Sequence, residues 1–328
     1  MVRKTFHRRL LPVVLLAGLT LSVRPQSQQQ SAPDEPIRLK AELVVIDAQV
    51  LVKKTGAVVN GLARENFSVY EDGVKQQITH FSQDKLPLSI VLLLDVSGSV
   101  MPAVNQVRDS GLKALSELKH EDEVAVMAFG VWATVLQTFT RDRRLIAKKV
   151  ADIGGMGPWI RQGTHIDEAI YEGATYLAKA SNPERRRVIV IVTDNFSNQL
   201  PAQGHSESDA LQKLHETGAV VCGLVVGDFN AAVIEYKKQG FALKDSIANY
   251  LSETGGILQQ VDKDDVTDKL AKLIDRLRTR YSLGYTPFNG KRDGNFRKMK
   301  LEVSPEVERR EGKVTIVARK GYYAPGQN

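Results

Sequence analysis

Continuous apolar runs recur through the middle of the chain, at 88–94, 124–129, 188–192 and 219–226. Such runs are typical of strands buried on both faces, as in a parallel sheet. Amphipathic stretches that predict helices lie between them, at 104–118, 166–180 and 210–216. A weaker strand at 257–261 and a closing helix at 266–280 follow. The alternation predicts an α/β domain over residues 86–280, with a doubly wound, mostly parallel, Rossmann-like sheet.

Short strands with hairpin punctuation lie on both sides of that domain. Residues 39–85 contain turn signals such as Asp72-Gly73, and residues 281–324 return to the same pattern. A segment of about 45 residues rarely forms a stable sheet alone. We therefore expect the two segments to be halves of one small β-sandwich-like module into which the α/β domain is inserted. The alternative is two separate β elements that flank it.

The N-terminus has the pattern of an export signal. Residues 1–9 carry four basic side chains, and residues 10–21 form an apolar run as long as a secretory h-region. The run is too short for a comfortable membrane span. We expect a signal peptide over 1–24, a flexible linker over 25–38 and a periplasmic or secreted protein. An uncleaved N-terminal anchor is the alternative, and it is the one membrane attachment that we consider.

Composition narrows the function classes. The chain is 42% hydrophobic and 25% charged, as globular proteins are. Its net charge of +7 includes five basic residues in the first 24, which contain no acid, so the rest carries +2 and a nucleic-acid partner is not expected. A single cysteine, Cys222, excludes a disulfide framework and thiolate metal clusters.

Polar side chains follow two of the buried strands. Asp95, Ser97 and Ser99 form the pattern D-x-S-x-S after the first, and Thr193-Asp194 follows the third. Gly163-Thr164 precedes a predicted helix. In an open α/β sheet, ligands bind beyond the carboxyl ends of the strands. Carboxylate and hydroxyl oxygens suit a hard cation such as Mg²⁺. Each motif alone is more typical of a helix cap or an ordinary loop.

Taken together and in this order, the three motifs resemble the metal-ion-dependent adhesion site of von Willebrand factor type A domains, and the flanking sequences resemble the bacterial group of such proteins. The resemblance implies that Ser97 and Ser99 coordinate the metal directly. It implies that Asp95 and Asp194 act mainly through waters and hydrogen bonds, and that Thr164 joins when ligand is bound. The implied cation is Mg²⁺, with Mn²⁺ or Ca²⁺ as alternatives.

The same resemblance implies a function. The cation would grip an exposed Asp or Glu of a protein partner, so we expect an adhesion-type binding protein and not an enzyme. No nucleophile elbow, phosphate loop or dinucleotide turn is present in the sequence. A metal-dependent hydrolase using the same cleft and an envelope scaffold with a non-functional metal site stay as alternatives. Asn195 stands where the family often has glycine, which alters that loop.

Other polar residues have simpler interpretations. We expect His165 to be solvated at a helix start and Arg185, Arg186 and Arg187 to form a solvated rim. For a denser basic group, a surface for an acidic partner or for lipid headgroups is the less favoured interpretation. The group comprises Arg276, Arg278, Arg280, Lys291, Arg292, Arg297, Lys298 and Lys300.

Overall fold

The computed structural model describes residues 43–83, 86–109, 113, 115–155, 163–181, 185–197, 204–227, 234, 238, 247–262 and 264–326.

The central sheet has six strands. The strands are β5 (Leu88–Asp95), β6 (Glu123–Phe129), β7 (Ala133–Thr140), β8 (Arg186–Thr193), β9 (Val220–Val226) and β10 (Leu258–Val261). Their order is β10-β9-β8-β5-β6-β7, and all neighbours are parallel except β7, which runs antiparallel to β6.

Helices cover both faces of this sheet, which explains the continuous apolar runs of its central strands. The α-helices of the described residues are α1 (Met101–Asp109), α2 (Arg143–Ala151), α3 (Ile166–Leu177), α4 (Glu207–Thr217), α5 (Ala248–Thr254), α6 (Val266–Arg278) and α7 (Pro305–Glu311). On one face, α1, α2 and α6 pack against alternate residues such as Leu92 and Leu94. On the other face, α3, α4 and α5 pack against Val91 and Leu93. Among the described residues, no helix is long and apolar enough to cross a membrane.

A module of two antiparallel sheets flanks the α/β domain. Its strands are β1 (Val44–Val52), β2 (Phe67–Glu71), β3 (Val74–Gln76), β4 (Ile78–Ser82), β11 (Tyr281–Tyr285), β12 (Phe296–Val303), β13 (Val314–Ala318) and β14 (Gly321–Tyr323). The sheets have the orders β13-β1-β11-β4 and β14-β12-β2-β3, so each combines strands from both sides of the α/β domain. Both contribute to one apolar core, which includes Ile46, Phe67 and Tyr281.

The predicted fold class is therefore confirmed: a mostly parallel α/β sheet with a small antiparallel β module beside it. The boundaries of the five predicted segments stay predictions. The proposed signal peptide and linker, residues 1–38, lie outside the described residues.

A buried ion pair joins the module to the sheet. Arg186, at the start of β8, donates from Nε and Nη2 to the carboxylate of Asp47 on β1, at 2.8 and 3.1 Å. Ser282 of β11 donates to the same carboxylate at 2.6 Å. The Nη1 of Arg186 donates to the main-chain oxygen of Leu277 in α6. One guanidinium thus links the sheet, the last helix of the domain and the β module.

The prediction of a solvated arginine rim was wrong, because the β module covers this end of the sheet. Arg185 is 8% exposed and Arg186 is 3% exposed, and Arg187 is half-buried. The eight-residue basic group is not one open surface either, since three of its members are buried. Arg278 pairs with Asp122, Arg280 donates to the oxygen of Gly255, and Arg297 pairs with Asp293.

Candidate metal site

Asp95 ends strand β5 with its side chain fully buried, at 0% exposure. Its Oδ1 accepts a hydrogen bond from the backbone N–H of Ser97 at 2.9 Å. Its Oδ2 accepts from the hydroxyl of Thr193, at the end of the neighbouring strand β8, at 2.7 Å. The carboxylate therefore fixes the loop after β5 and ties it to the end of β8.

The loop after Asp95 carries side-chain oxygens that form a hydrogen-bonded chain. The Oγ atoms of Ser97 and Ser99 lie 3.2 Å apart, and the hydroxyl of Ser99 donates to Oδ2 of Asp194 at 2.5 Å. Ser99 is exposed, whereas Ser97 and Asp194 are half-exposed. The D-x-S-x-S motif and the Thr-Asp pair thus meet at the carboxyl edge of the sheet, with oxygens open to solvent.

The loop after β8 turns sharply at Asn195, which has φ +67°. Asparagine tolerates this left-handed region better than most residues, which explains how it replaces a glycine here. Its N–H donates to the hydroxyl of Thr193, and its Oδ1 accepts from the N–H of Ile247. The Oδ1 of Asp194 accepts from the N–H of Phe196. The loop therefore holds the Asp194 carboxylate in place.

Thr164 lies beside this loop. Ser197 donates its hydroxyl proton to the main-chain oxygen of Thr164 at 3.1 Å, and Thr164 is buried. The next residue, His165, donates its N–H to the oxygen of Gly130, which fixes the start of α3 near the end of β6. Hydrogen bonds link the other four predicted ligands to one another, and Thr164 is placed through its main chain.

The prediction that His165 is solvated was wrong, because the residue is only 5% exposed. The reason is the close approach of the loop before α4: a Cβ atom added to Gly204 would lie 3.0 Å from Cε1 of His165. The side chain therefore packs beneath that loop.

The electrostatics of the cluster favour a cation. Burial raises the pKa of Asp95 to about 6, and the nearby charge of Asp194 acts in the same direction. The hydrogen bonds named above come from neutral hydroxyl and N–H donors, which do not cancel two carboxylate charges. Four of the five predicted side chains offer oxygens within one hydrogen-bonded group, and oxygen ligands are those that Mg²⁺ and Ca²⁺ prefer. The residues present therefore fit a hard divalent cation.

Comparison with known families decides the assignment. Residues 90–197 match the model of the von Willebrand factor type A domain. This chain contains a von Willebrand factor type A (VWA) domain. The match begins in β5 and ends just after Asp194, so it includes every residue of the candidate site. VWA domains are typical of protein binding and adhesion, and many bind divalent cations.

Solved structures similar to this chain include several bacterial proteins. The conserved hypothetical protein BatB from Bacteroides thetaiotaomicron is 17% identical, with 58% of this chain and 98% of that chain covered and a TM-score of 0.42. An aerotolerance-related membrane protein from Bacteroides fragilis is 19% identical, with 58% and 99% covered and a TM-score of 0.40. A von Willebrand factor type A protein from Catenulispora acidiphila is 12% identical, with 87% and 74% covered and a TM-score of 0.45. No curated protein sequence matches the chain.

The sequence did not predict a second polar cluster in the VWA domain. The side chains of Glu168, Glu172 and His205 each offer one potential metal-ligand atom, and these atoms lie within 4.8 Å of one another. Glu168 accepts hydrogen bonds from both the N–H and Nδ1 of His205, each at 2.8 Å. The i, i+4 spacing of the two glutamates indicates that they share one face of α3. His205 comes from a loop distant in sequence, so the sequence did not indicate that it joins them. The hydrogen bonds tie that loop to α3, which begins beside Thr164.

Proposed function

We propose that the VWA domain binds a protein partner through a divalent cation held by Asp95, Ser97, Ser99, Thr164 and Asp194. The cation would be Mg²⁺, with Mn²⁺ or Ca²⁺ as alternatives. The observation that carries the proposal is the hydrogen-bonded chain of side-chain oxygens from Ser97 through Ser99 to Asp194, next to the buried Asp95 that fixes the loop of Ser97.

The hydrogen bonds of the cluster orient the serine hydroxyl groups for binding a cation. Because Ser99 donates its proton to Asp194, the hydroxyl of Ser97 donates to Ser99, and each serine oxygen keeps at least one lone pair that can face a cation. Asp95 orients the loop through the N–H of Ser97 and the hydroxyl of Thr193. Ser97 and Ser99 would therefore bind directly, and the two carboxylates would act mainly through waters and these hydrogen bonds.

The charge balance of the site suggests what the partner supplies. A cation bound there supplies positive charge and an open coordination position. The hydroxyl ligands are neutral, so they leave that charge largely in place. A carboxylate from outside is the natural complement, and we propose a protein ligand with an exposed Asp or Glu.

Export is part of the proposal. The basic start and the apolar run of residues 10–21 support a cleaved signal peptide and a periplasmic or secreted protein. Mass spectrometry of the protein isolated from the producing cells tests this directly. A mature N-terminus between residues 22 and 28 is expected, and a chain that retains Met1 would contradict cleavage.

Calorimetric titration of Mg²⁺ into protein stripped with EDTA tests the cation site. Ser99→Ala removes one direct ligand and the donor to Asp194, so its affinity should fall about tenfold or more. Ser68→Ala, on β2 of the flanking module, is the matched control and should bind as the wild type does. Equal affinities of the wild type and Ser99→Ala would overturn the ligand set.

Affinity capture of envelope proteins tests the partner. The mature chain is used in Mg²⁺ and in EDTA, with Ser99→Ala and Ser68→Ala in parallel. A partner retained in Mg²⁺ by the wild type and Ser68→Ala alone supports a grip through the cation. Identical partners in all samples would move recognition away from this site.

A further inference from the structure

A cavity of about 230 Å³ lies at the opposite edge of the central sheet from the candidate metal site. The chain entering β8 contributes Arg185, Arg186 and Arg187, and the β module contributes Asp47 and Arg319. Strand β8 has eight residues, and a strand rises about 3.3 Å per residue. The two sites are therefore separated by about the full length of strand β8.

The lining of this cavity has a strong excess of positive charge. Its described residues include four arginines and a single acid, Asp47. That carboxylate is already engaged by Arg186 in a two-bond ion pair. The other three arginines that line the cavity, Arg185, Arg187 and Arg319, form no salt bridge with a described residue.

Main-chain oxygens hold these three guanidinium groups in place. Arg185 donates to the oxygen of Glu121, Arg187 donates to that of Thr217 at 2.8 Å, and Arg319 donates to that of Val45 at 2.6 Å. Each of these bonds uses one terminal nitrogen. The positions of the arginines are thus set by the fold before any ligand arrives.

Each of the three groups keeps an unused donor. The Nε–H groups of Arg185, Arg187 and Arg319 have no hydrogen-bond partner within the described part of the chain. The side chain of Arg185 belongs to a residue that is only 8% exposed. A buried donor without an acceptor is costly. Because these Nε atoms are covered, the side chains must shift slightly before the Nε–H groups can donate to an anion in the cavity.

We propose that this cavity binds a phosphate group, either free or as an ester. The planar donor fork of arginine matches phosphate oxygens, and three guanidinium groups without a salt bridge favour a dianion over a single carboxylate. The volume is below the roughly 300–1,000 Å³ of sites for drug-sized ligands, and it suits one small anionic group. A bound phosphate would contact both the VWA domain and the β module.

Calorimetric titration of the mature chain with inorganic phosphate tests the proposal. Ionic strength is held constant with chloride, and EDTA is present so that the result does not depend on the metal site. We expect saturable binding that Arg187→Gln and Arg319→Gln each weaken about tenfold or more. Arg309→Gln is the control, because Arg309 is an exposed arginine of α7. It should bind phosphate as the wild type does.

Further arms separate the ligand sources and guard against misfolding. Glycerol 3-phosphate replaces inorganic phosphate in one arm: tighter binding of the ester assigns an ester-linked group, and tighter binding of the inorganic ion assigns free phosphate. Arg319→Lys keeps the charge but loses the fork, and it should fold and still bind more weakly than the wild type. Phosphate that does not saturate the protein, or binds equally to the folded Arg187→Gln and Arg319→Lys variants, would overturn the proposal.

Discussion

Ser99 donates a hydrogen bond to Asp194 across 2.5 Å, although the two residues are 95 positions apart in the chain. Ser99 is exposed and Asp194 half-exposed, so little packing depends on either side chain. Asp194→Asn keeps the size and an acceptor but removes the charge. We expect its unfolding free energy in EDTA to change by less than about 0.5 kcal/mol.

The same variant should lose most of the stabilisation that Mg²⁺ gives to the wild type, since a ligand stabilises only in proportion to its affinity for the native state. Thermal melts with and without Mg²⁺ measure both effects. A Mg²⁺-induced rise in Tm as large in Asp194→Asn as in the wild type would show that Asp194 is not part of the site.

Replacing the buried Asp95 should not destabilise the metal-free protein. Burial raises its pKa from 3.8 to about 6, so keeping it ionised in the metal-free protein at pH 7 costs about 3 kcal/mol. Asp95→Asn removes this cost and retains groups that can bond to Ser97 and Thr193. We expect the variant to be at least as stable as the wild type in EDTA and to gain nothing from Mg²⁺.

Asp95→Ala is the comparison for that variant. It leaves the N–H of Ser97 without its acceptor, so it should be less stable than Asp95→Asn by about 1–3 kcal/mol. Chemical denaturation in EDTA measures the order. If Asp95→Asn were as unstable as Asp95→Ala, the carboxylate would be a structural group and not one kept for a cation.

The left-handed backbone of Asn195 can be tested by a pair of substitutions. Asn195→Gly and Asn195→Ala both remove the acceptor for the N–H of Ile247, but only glycine adopts φ +67° without a steric penalty. The glycine variant should therefore be more stable than the alanine variant by about 1 kcal/mol. Equal stabilities in urea denaturation would mean that the loop relaxes away from this conformation.

The ion pair between Asp47 and Arg186 predicts a pH dependence. Burial alone would raise the pKa of Asp47, but the charge and hydrogen bonds of Arg186, with that of Ser282, lower it below 3.8. A lowered pKa in the folded state contributes stability above the unfolded value, and this contribution is lost as the pH falls through the folded pKa.

Asp47→Asn removes that contribution. At pH 7 the variant should lose about 3 kcal/mol, because the buried guanidinium of Arg186 loses its counter-charge. Below pH 4 the difference from the wild type should shrink. Urea denaturation between pH 3 and pH 7 measures it, and a difference that stays constant with pH would contradict the paired geometry.

Some elements were readable from the sequence because local pattern and final environment agree. Strands β5 and β8 are covered on both faces, so their apolar runs predicted them. The site motifs follow such strands directly, and the meeting of Ser99 with Asp194 follows from strand order.

Other elements depend on contacts that no local pattern shows. Strand β7 lies at the sheet edge, is only half-buried and carries Thr and Gln, so its pattern was ambiguous. Arg186 looked solvated because its partner, Asp47, lies 139 positions earlier in the chain. Helix α7 was missed although Ser304-Pro305 offered a start signal, since proline is favoured at the first helical position.

The most direct test of the cation site is crystallographic. Crystals of the mature protein soaked in Mn²⁺ are measured at the manganese absorption edge, and anomalous difference density locates the ion. We expect a peak about 2.0–2.6 Å from the Oγ atoms of Ser97 and Ser99, and a weaker peak in crystals of Ser99→Ala soaked at the same low Mn²⁺ concentration. A well-diffracting wild-type crystal with manganese elsewhere, or with none at this edge of the sheet, would contradict the proposed site.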